Sequence, residues 1–219
     1  MEVHRHLDEE LDHLRDTVLR LGGESEWALA RAMKALTERD DAAAREVLEH
    51  DDAIDQLEVD VDQQCVDIFA LRQPAARDLR FVMSVAKMAP VLERIADHAS
   101  NIARVVIGLN KEPELNNHLR IRRMGEVASV MLAAALDAFT KQDAAAARKV
   151  IERDSEINEL YNSIFHDLIE LMTREPTTAT RDARLLFVAK HLERIGDYVT
   201  DICELTVYMA EAAIIKHRH

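Results

Sequence analysis

The 219 residues carry a formal net charge of −13, with 48% hydrophobic and only 4% aromatic residues. That is enough apolar material for a packed core, which argues against a disordered chain. It is also too much negative charge for a nucleic-acid or anionic-membrane binder lacking a basic patch, and no run of six like charges or Arg-rich stripe is present.

Five Gly and four Pro, among abundant Ala, Leu, Glu, Arg and Met, favour helices over strands. The first helix is expected from about Val3 to Arg39, with Gly22-Gly23 as a weak point that loosens or kinks it. Asp40 or Asp41 then caps a second helix that runs to about Arg72, and Pro74 marks the turn into a third, from Arg77 to Leu109. Asn110 to Pro113 is the richest stretch of breakers near the middle and is the expected domain boundary, giving units 1–110 and 111–219. The second half repeats the plan: a helix from Leu115 to Lys141, another from Asp143 to Thr173, a turn around Pro176, and a last helix capped by Thr180 and ending near Ile215. Long helices joined by short loops fold back antiparallel, so the fold class expected is all-α, two three-helix bundles. Trp27 and the eight Met are expected in the core. The two cysteines, Cys65 and Cys203, lie far apart among apolar residues and are expected as buried reduced thiols. No signal-like or membrane-spanning apolar stretch is present, which points to a soluble cytoplasmic protein that reaches a membrane only through a partner.

The halves are related by an internal repeat. Val47-Leu48-Glu49-His50-Asp51 matches Val150-Ile151-Glu152-Arg153-Asp154, and Leu92-Glu93-Arg94-Ile95-Ala96-Asp97 matches Leu192-Glu193-Arg194-Ile195-Gly196-Asp197. The repeated element is Glu-x-x-x-Asp, whose two acids sit one helical turn apart on one face. Asn101 extends the row behind Glu93 and Asp97, and Asp201 extends it behind Glu193 and Asp197. The preceding helices carry facing rows: Asp51, Asp55, Glu58 and Asp62 in the first half, and the acid-poor Asp154, Asn158, Tyr161 and Phe165 in the second. Around a turn near residue 75, residues whose numbers sum to about 150 lie level in a hairpin, so Asp51 and Asp55 fall level with Glu93 to Asn101. The same construction sets Asp154 and Asn158 level with Glu193 to Asp201.

Two carboxylates about 5 Å apart repel by roughly 3 kcal/mol at an effective dielectric near 20. Such clusters take up protons, splay into water or bind a cation. Oxygen donors suit hard ions such as magnesium, manganese, calcium or iron, and zinc less well. Two metal sites are therefore expected, both at the shoulder of the apolar face and partly exposed. The first comprises Asp51, Asp55, Glu93, Asp97 and Asn101; the second, Asp154, Asn158, Glu193, Asp197 and Asp201. The first, richer in acids, is expected to bind at least as tightly. His98 and His191 point away from the carboxylate rows and are expected at the surface, while Arg94 and Arg194 either balance charge, the preferred reading, or bind an anion at the cluster.

Leu71-Arg72-Gln73-Pro74-Ala75-Ala76-Arg77-Asp78-Leu79-Arg80, the two Leu-Glu-Arg-Ile-x-Asp stretches and Leu21-Gly22-Gly23 resemble the PhoU family over nearly the whole chain. The resemblance implies two three-helix bundles, multinuclear clusters of iron or another divalent ion at these motifs, and a homodimer. It also implies a negative regulator of the phosphate-starvation response that links the PstB ATPase of the Pst phosphate transporter to the sensor kinase PhoR. The sequence departs from the family at Asn158, where an acid would complete the second site, and at Pro90, which interrupts a helical hydrogen bond just before Glu93. The basic tail Lys216-His217-Arg218-His219 has no assigned use. An enzyme is the competing class. Ferritin-like di-iron oxidases need two Glu-x-x-His pairs, whereas this chain has one, Glu10 to His13, and it has neither a phosphate loop nor a nucleophile elbow. A metal store, or an accessory of a different phosphate carrier, is the third reading.

Overall fold

A computed structural model describes residues 2–113 and 119–216. Among these residues seven α-helices follow one another: α1 (Glu2–Glu38), α2 (Asp41–Arg72), α3 (Ala76–Leu109), α4 (Leu119–Lys141), α5 (Ala144–Glu152), α6 (Asp154–Arg174) and α7 (Ala179–Glu211), with a 3₁₀ turn at Pro176–Thr178. No strand occurs among the described residues. Helices α1, α2 and α3 pack together as one bundle, and α4, the α5–α6 pair and α7 as the other. The bundles meet chiefly through α3 against α7, with α1 against α4 beside them.

Local chemistry explains most of the ends. The Asp40 carboxylate accepts hydrogen bonds from the Ala42 and Ala43 amides, at 2.9 and 3.0 Å, and Asp143 does the same for Ala145 and Ala146. Each satisfies amides that the first helical turn leaves unbonded. Replacing either with Ala is expected to cost about 1 kcal/mol, a fall in melting temperature of about 2–4 °C for a chain of this size, read by calorimetry. At the end of α7, Ala212 takes the left-handed conformation with φ 57°, and Ile215 then packs back against the core.

Four expectations about elements need correction. Gly22-Gly23 neither breaks nor ends α1, which runs through both. A Cβ at Gly22 would stand 2.8 Å from Leu136 Cδ2, so this glycine lets α4 approach closely. Thr180 lies inside α7, because the Pro176–Thr178 turn brings the helix start forward to Ala179. The last helix also stops at Glu211, short of Ile215. The fifth predicted helix is two helices divided at Arg153. The expected helix start at Leu115 and the tail residues His217, Arg218 and His219 lie outside the described residues.

The chain between the bundles is strapped down at Asn110 to Pro113. Arg39 donates to the carbonyls of Asn110 and Glu112, at 3.0 and 2.6 Å, and Asn110 donates to Asp41. From the other bundle, Arg181 donates to the Pro113 carbonyl, and Arg184 to Gly108 and to the Glu112 carboxylate. These bonds fix how α3 leaves the first bundle, and α3 carries the first acidic motif.

Candidate metal centre

On α3, Leu92, Ile95, Ala96 and Ala99 are fully buried, which leaves Glu93 and Asp97 on the adjoining edge. On α2, Ile54, Leu57 and Val61 point inward, which leaves Asp51, Asp55 and Glu58 on the edge that faces α3. The register is tied by Ser100, whose hydroxyl donates to Asp51 at 2.8 Å. That pairing is within one residue of the level expected from the turn. Ser25, buried on α1, shares its hydroxyl hydrogen between the Leu21 and Leu92 carbonyls. It stitches α1 to α3 one residue before Glu93.

The carboxyls of the first site feel one another. Burial, then Asp97, Asp55 and Glu58, push Glu93 up to about 7, against the pull of Arg94. Asp55 is raised by burial and then by Asp51, Asp97 and Asp52. Burial and then Asp51 raise Asp97, although Arg104 and a proton shared with the Glu93 carboxyl work the other way. Glu58 is raised by burial, then by Asp62 and Asp55, so it belongs to the same electrostatic cluster. Asp51 makes a long ion pair with Arg104 Nη2 at 3.5 Å, and Arg104 also donates to the Asn101 side-chain oxygen at 2.9 Å. Asn101 therefore stands at the rim, oriented by an arginine.

The second site is built differently. Asp154 is buried, at 1% exposure, because the break at Arg153 tucks it under α7. A Cβ at Gly196 would lie 3.2 Å from its Oδ1. The expectation of a partly exposed acid there is corrected: Asp154 sits beneath the row and accepts a hydrogen bond from the Asn158 amide at 2.7 Å. Lys190 donates to Glu193 at 2.5 Å, with its ammonium 5.2 Å from the Tyr161 ring centre. Arg194 donates to Asp197 at 3.2 Å, and Asp201 extends the row one turn on, half-buried. The second row is thus supplied with cations from its own helix. At the position repeat-equivalent to Lys190, the first half has Pro90, which α3 accommodates without interruption. Pro90 therefore leaves Glu93 without the lysine that Glu193 has.

Among the described residues, no three His, Cys, Asp or Glu side chains already surround one point closely enough to hold a metal ion. The first site still fits a hard cation by its donor set, which is all oxygen and short of compensating charge. A bound ion would draw Asp55, Glu93 and Asp97 inward by rotamer changes.

Three single-residue expectations also change. His98 and His191 are not surface groups; both are half-buried and face each other across the α3–α7 contact, Nδ1 to Nδ1 at 2.8 Å. Trp27 is 36% exposed rather than core, with His50 edge-on at 4.7 Å. Arg94 and Arg194 both balance charge, Arg94 by lowering Glu93 while it lies over the Tyr198 ring and Arg194 through Asp197. Cys65 and Cys203 are buried thiols as expected, both pushed up to about 12 by burial.

A family model described as the PhoU domain matches the chain twice, over residues 18–106 and 121–206. The chain is 37% identical over 213 residues to a protein of Aquifex aeolicus named a phosphate-specific transport system accessory protein PhoU homolog, covering 97% of this chain and 96% of that one. The crystal structure of PhoU from Pseudomonas aeruginosa superposes with a TM-score of 0.92 at 36% identity, covering 94% of this chain and 99% of that one. The structure of the phosphate transport system regulatory protein PhoU from Streptococcus pneumoniae gives 0.89 at 31%, covering 96% and 100%. The two matched segments coincide with the two bundles that carry the repeated Glu-x-x-x-Asp, so motif, fold and relatives agree: the chain belongs to the PhoU family.

Proposed function

We propose that this protein is a non-enzymatic, metal-dependent accessory of phosphate transport. In this reading it acts in the cytoplasm as a negative regulator, by joining the transporter's PstB-type ATPase to a PhoR-type sensor kinase, and it works as a homodimer. The observation that carries the reading is the charge imbalance of Asp55, Glu93 and Asp97 across α2 and α3, set in a chain whose relatives are named for phosphate transport. A hard ion, iron, manganese or magnesium ahead of zinc, would relieve that imbalance and lock α2 to α3. The locked edge, with Asn101 and Arg104 at its rim, then presents a fixed surface to a partner. Asp154, Asn158, Glu193, Asp197 and Asp201 would form the second and weaker centre.

One observation supports a binding role over catalysis. Glu10, half of the lone Glu-x-x-His pair, is held by both nitrogens of the Arg72 fork at 2.6 and 2.8 Å, so it is not offered to a di-metal core. No helix among the described residues is long and apolar enough to cross a membrane, so contact with a transporter would run through its cytoplasmic parts. The test is capture of partners from phosphate-replete cells by the tagged chain. Metal-loaded protein is expected to retain the ATPase and the kinase, and protein stripped by a chelator to retain clearly less. Equal capture with and without metal would remove the metal dependence. Recovery of neither partner would favour an accessory of a different carrier or a metal store.

A further inference from the structure

We propose that the α3–α7 face is a two-pronged docking surface for a twofold-symmetric protein dimer, with one chain spanning both partner subunits. The inference deepens the accessory reading above and rests on it, by naming the symmetry and the surface chemistry of what this face meets.

The two bundles meet as if they were two copies of one subunit. Gly22 of α1 stands against Leu136 of α4, and Gly125 of α4 stands against Met33 of α1. Gly125 is the repeat counterpart of Gly22, and Leu136 that of Met33, at the same spacing that takes Asp51 to Asp154. In a twofold contact the counterparts of two touching residues touch in the reverse sense, as these do. Likewise α3 packs on its own counterpart α7, and α1 on α4. His98 stacks on Tyr198 with ring centres 5.6 Å apart, and these two are counterparts just as Asp97 and Asp197 are. A side chain that touches its own counterpart lies on the axis. Helices α3 and α7 run antiparallel, since Gly108 meets Arg184 while His98, earlier in α3, meets His191, later in α7. An axis that exchanges two antiparallel neighbours is perpendicular to the plane they share. The local dyad therefore emerges through the α3–α7 face.

Each side of that axis carries the same kind of exposed apolar pair. Val66 on α2 and Met83 on α3 are exposed and fall level in their hairpin. The counterpart of Val66 is Ile169 on α6. That of Met83 is Phe187 on α7, from the match of Arg77-Asp78-Leu79-Arg80 with Arg181-Asp182-Ala183-Arg184. Ile169 is exposed as well, Phe187 is 62% exposed, and Phe165 lies open beside them. Exposed apolar patches mark interaction sites, and Met and Phe are enriched where proteins meet. An exposed acid follows each aliphatic residue: Asp67, which accepts from the uncharged Gln63, and Glu170, which is paired with Arg174. The subunits of a symmetric partner are alike, so each offers an apolar side chain with a basic one beside it. A partner with a single binding element would fill one patch and leave its counterpart bare. A dimer whose axis falls on the His98–Tyr198 contact fills both at once. The second engagement is then intramolecular and strengthens binding by about 10²–10⁴-fold.

The probes are the purified PstB-type ATPase and the cytoplasmic part of the PhoR-type kinase, each in dimeric form, titrated with the full chain and weighed by native mass spectrometry. With at least one of them the wild type is expected to give one chain per two partner subunits. Met83→Glu and Phe187→Glu are each expected to weaken that binding roughly 100-fold. At saturation each variant gives one chain per partner subunit, because a single intact patch engages a single subunit. The double variant binds neither probe. Glu is a good helix former at exposed positions, so all three variants are expected to keep the wild-type circular dichroism. One wild-type chain per partner subunit, or variants that bind as tightly as the wild type, would overturn the two-pronged surface and leave the accessory role standing. Failure of the wild type to bind either probe would overturn the accessory reading and this inference together. Loss of the chain's own self-association in the variants, with both probes held at wild-type strength, would assign the face to a second copy and overturn it too.

Discussion

Replacing Glu93 with Ala is expected to weaken binding of Mn²⁺ or Fe²⁺ by more than tenfold, while Glu193→Ala weakens it much less. The scale follows from metal sites in general, where loss even of an outer-sphere partner costs roughly 10–100-fold. The difference between the halves follows from their charges. Glu93 sits with Asp97, Asp55 and Glu58, and these neighbours together with burial push its carboxyl up to about 7. A cation there relieves repulsion that Arg94 and Arg104 offset only in part. Glu193 already has Lys190 against it at 2.5 Å, and Asp197 has Arg194, so an incoming ion must first displace a side-chain cation. A companion substitution separates charge from position: Lys190→Ala is expected to raise affinity at the second site, whereas Arg104→Ala raises it at the first only slightly, because its contact with Asp51 is long. Isothermal titration of the four variants reads all of this. A larger loss from Glu193→Ala than from Glu93→Ala would reverse the ranking and remove the argument from charge compensation.

What the sequence made legible was whatever depends on period and repetition. The helices, the antiparallel hairpins and the level pairing of Asp51 with the Glu93 row follow from spacing along single helices plus one turn position. The Ser100–Asp51 bond at 2.8 Å is the physical form of that pairing. Contacts between helices far apart in the chain were not legible. His98 and His191 lie 93 residues apart, and their orientation off the acidic row reads as surface when each helix is considered alone. Only the docking of α3 on α7 turns that face into an interface. Gly22 was misread for the same reason: a helix-weakening residue in isolation, it is a close-approach point once Leu136 of α4 stands over it. The burial of Asp154 depended on the break at Arg153, where no Gly or Pro marks the interruption. Lys190, by contrast, was in plain sight as the counterpart of Pro90. Its position three residues before Glu193 was a usable signal, since charged side chains at that spacing meet on a helix.

In metal-free protein, Glu93→Gln is expected to be more stable than the wild type at neutral pH, by an advantage that grows as the pH rises from about 4.5 to 7. The sign follows from proton linkage. The folded state holds the Glu93 proton up to about 7, against an ordinary glutamate value of 4.5. Between those values the folded chain binds more protons than the unfolded one, so this carboxyl's effect on stability worsens with rising pH until both states have released the proton. Asp55, Asp97 and Glu58 are raised as well and act in the same direction. The two half-buried histidines act oppositely. Their lowered values make the unfolded chain the better proton binder below about 6.5, which adds stability as pH rises. Wild-type melting alone therefore mixes two opposing trends, and the difference between wild type and Glu93→Gln isolates the carboxyl. Water screens a partly exposed group, so an advantage of about 2–4 °C at pH 7.5, the change that 1 kcal/mol makes in a chain of this length, is the scale expected, shrinking to nothing by pH 4.5. Saturating Mn²⁺ should reverse the order, because a bound cation favours the ionised carboxylate and the Gln variant forfeits that contact. If Glu93→Gln melted below the wild type at pH 7.5 without metal, the cluster would already be compensated in the folded chain, and a metal would have nothing to relieve.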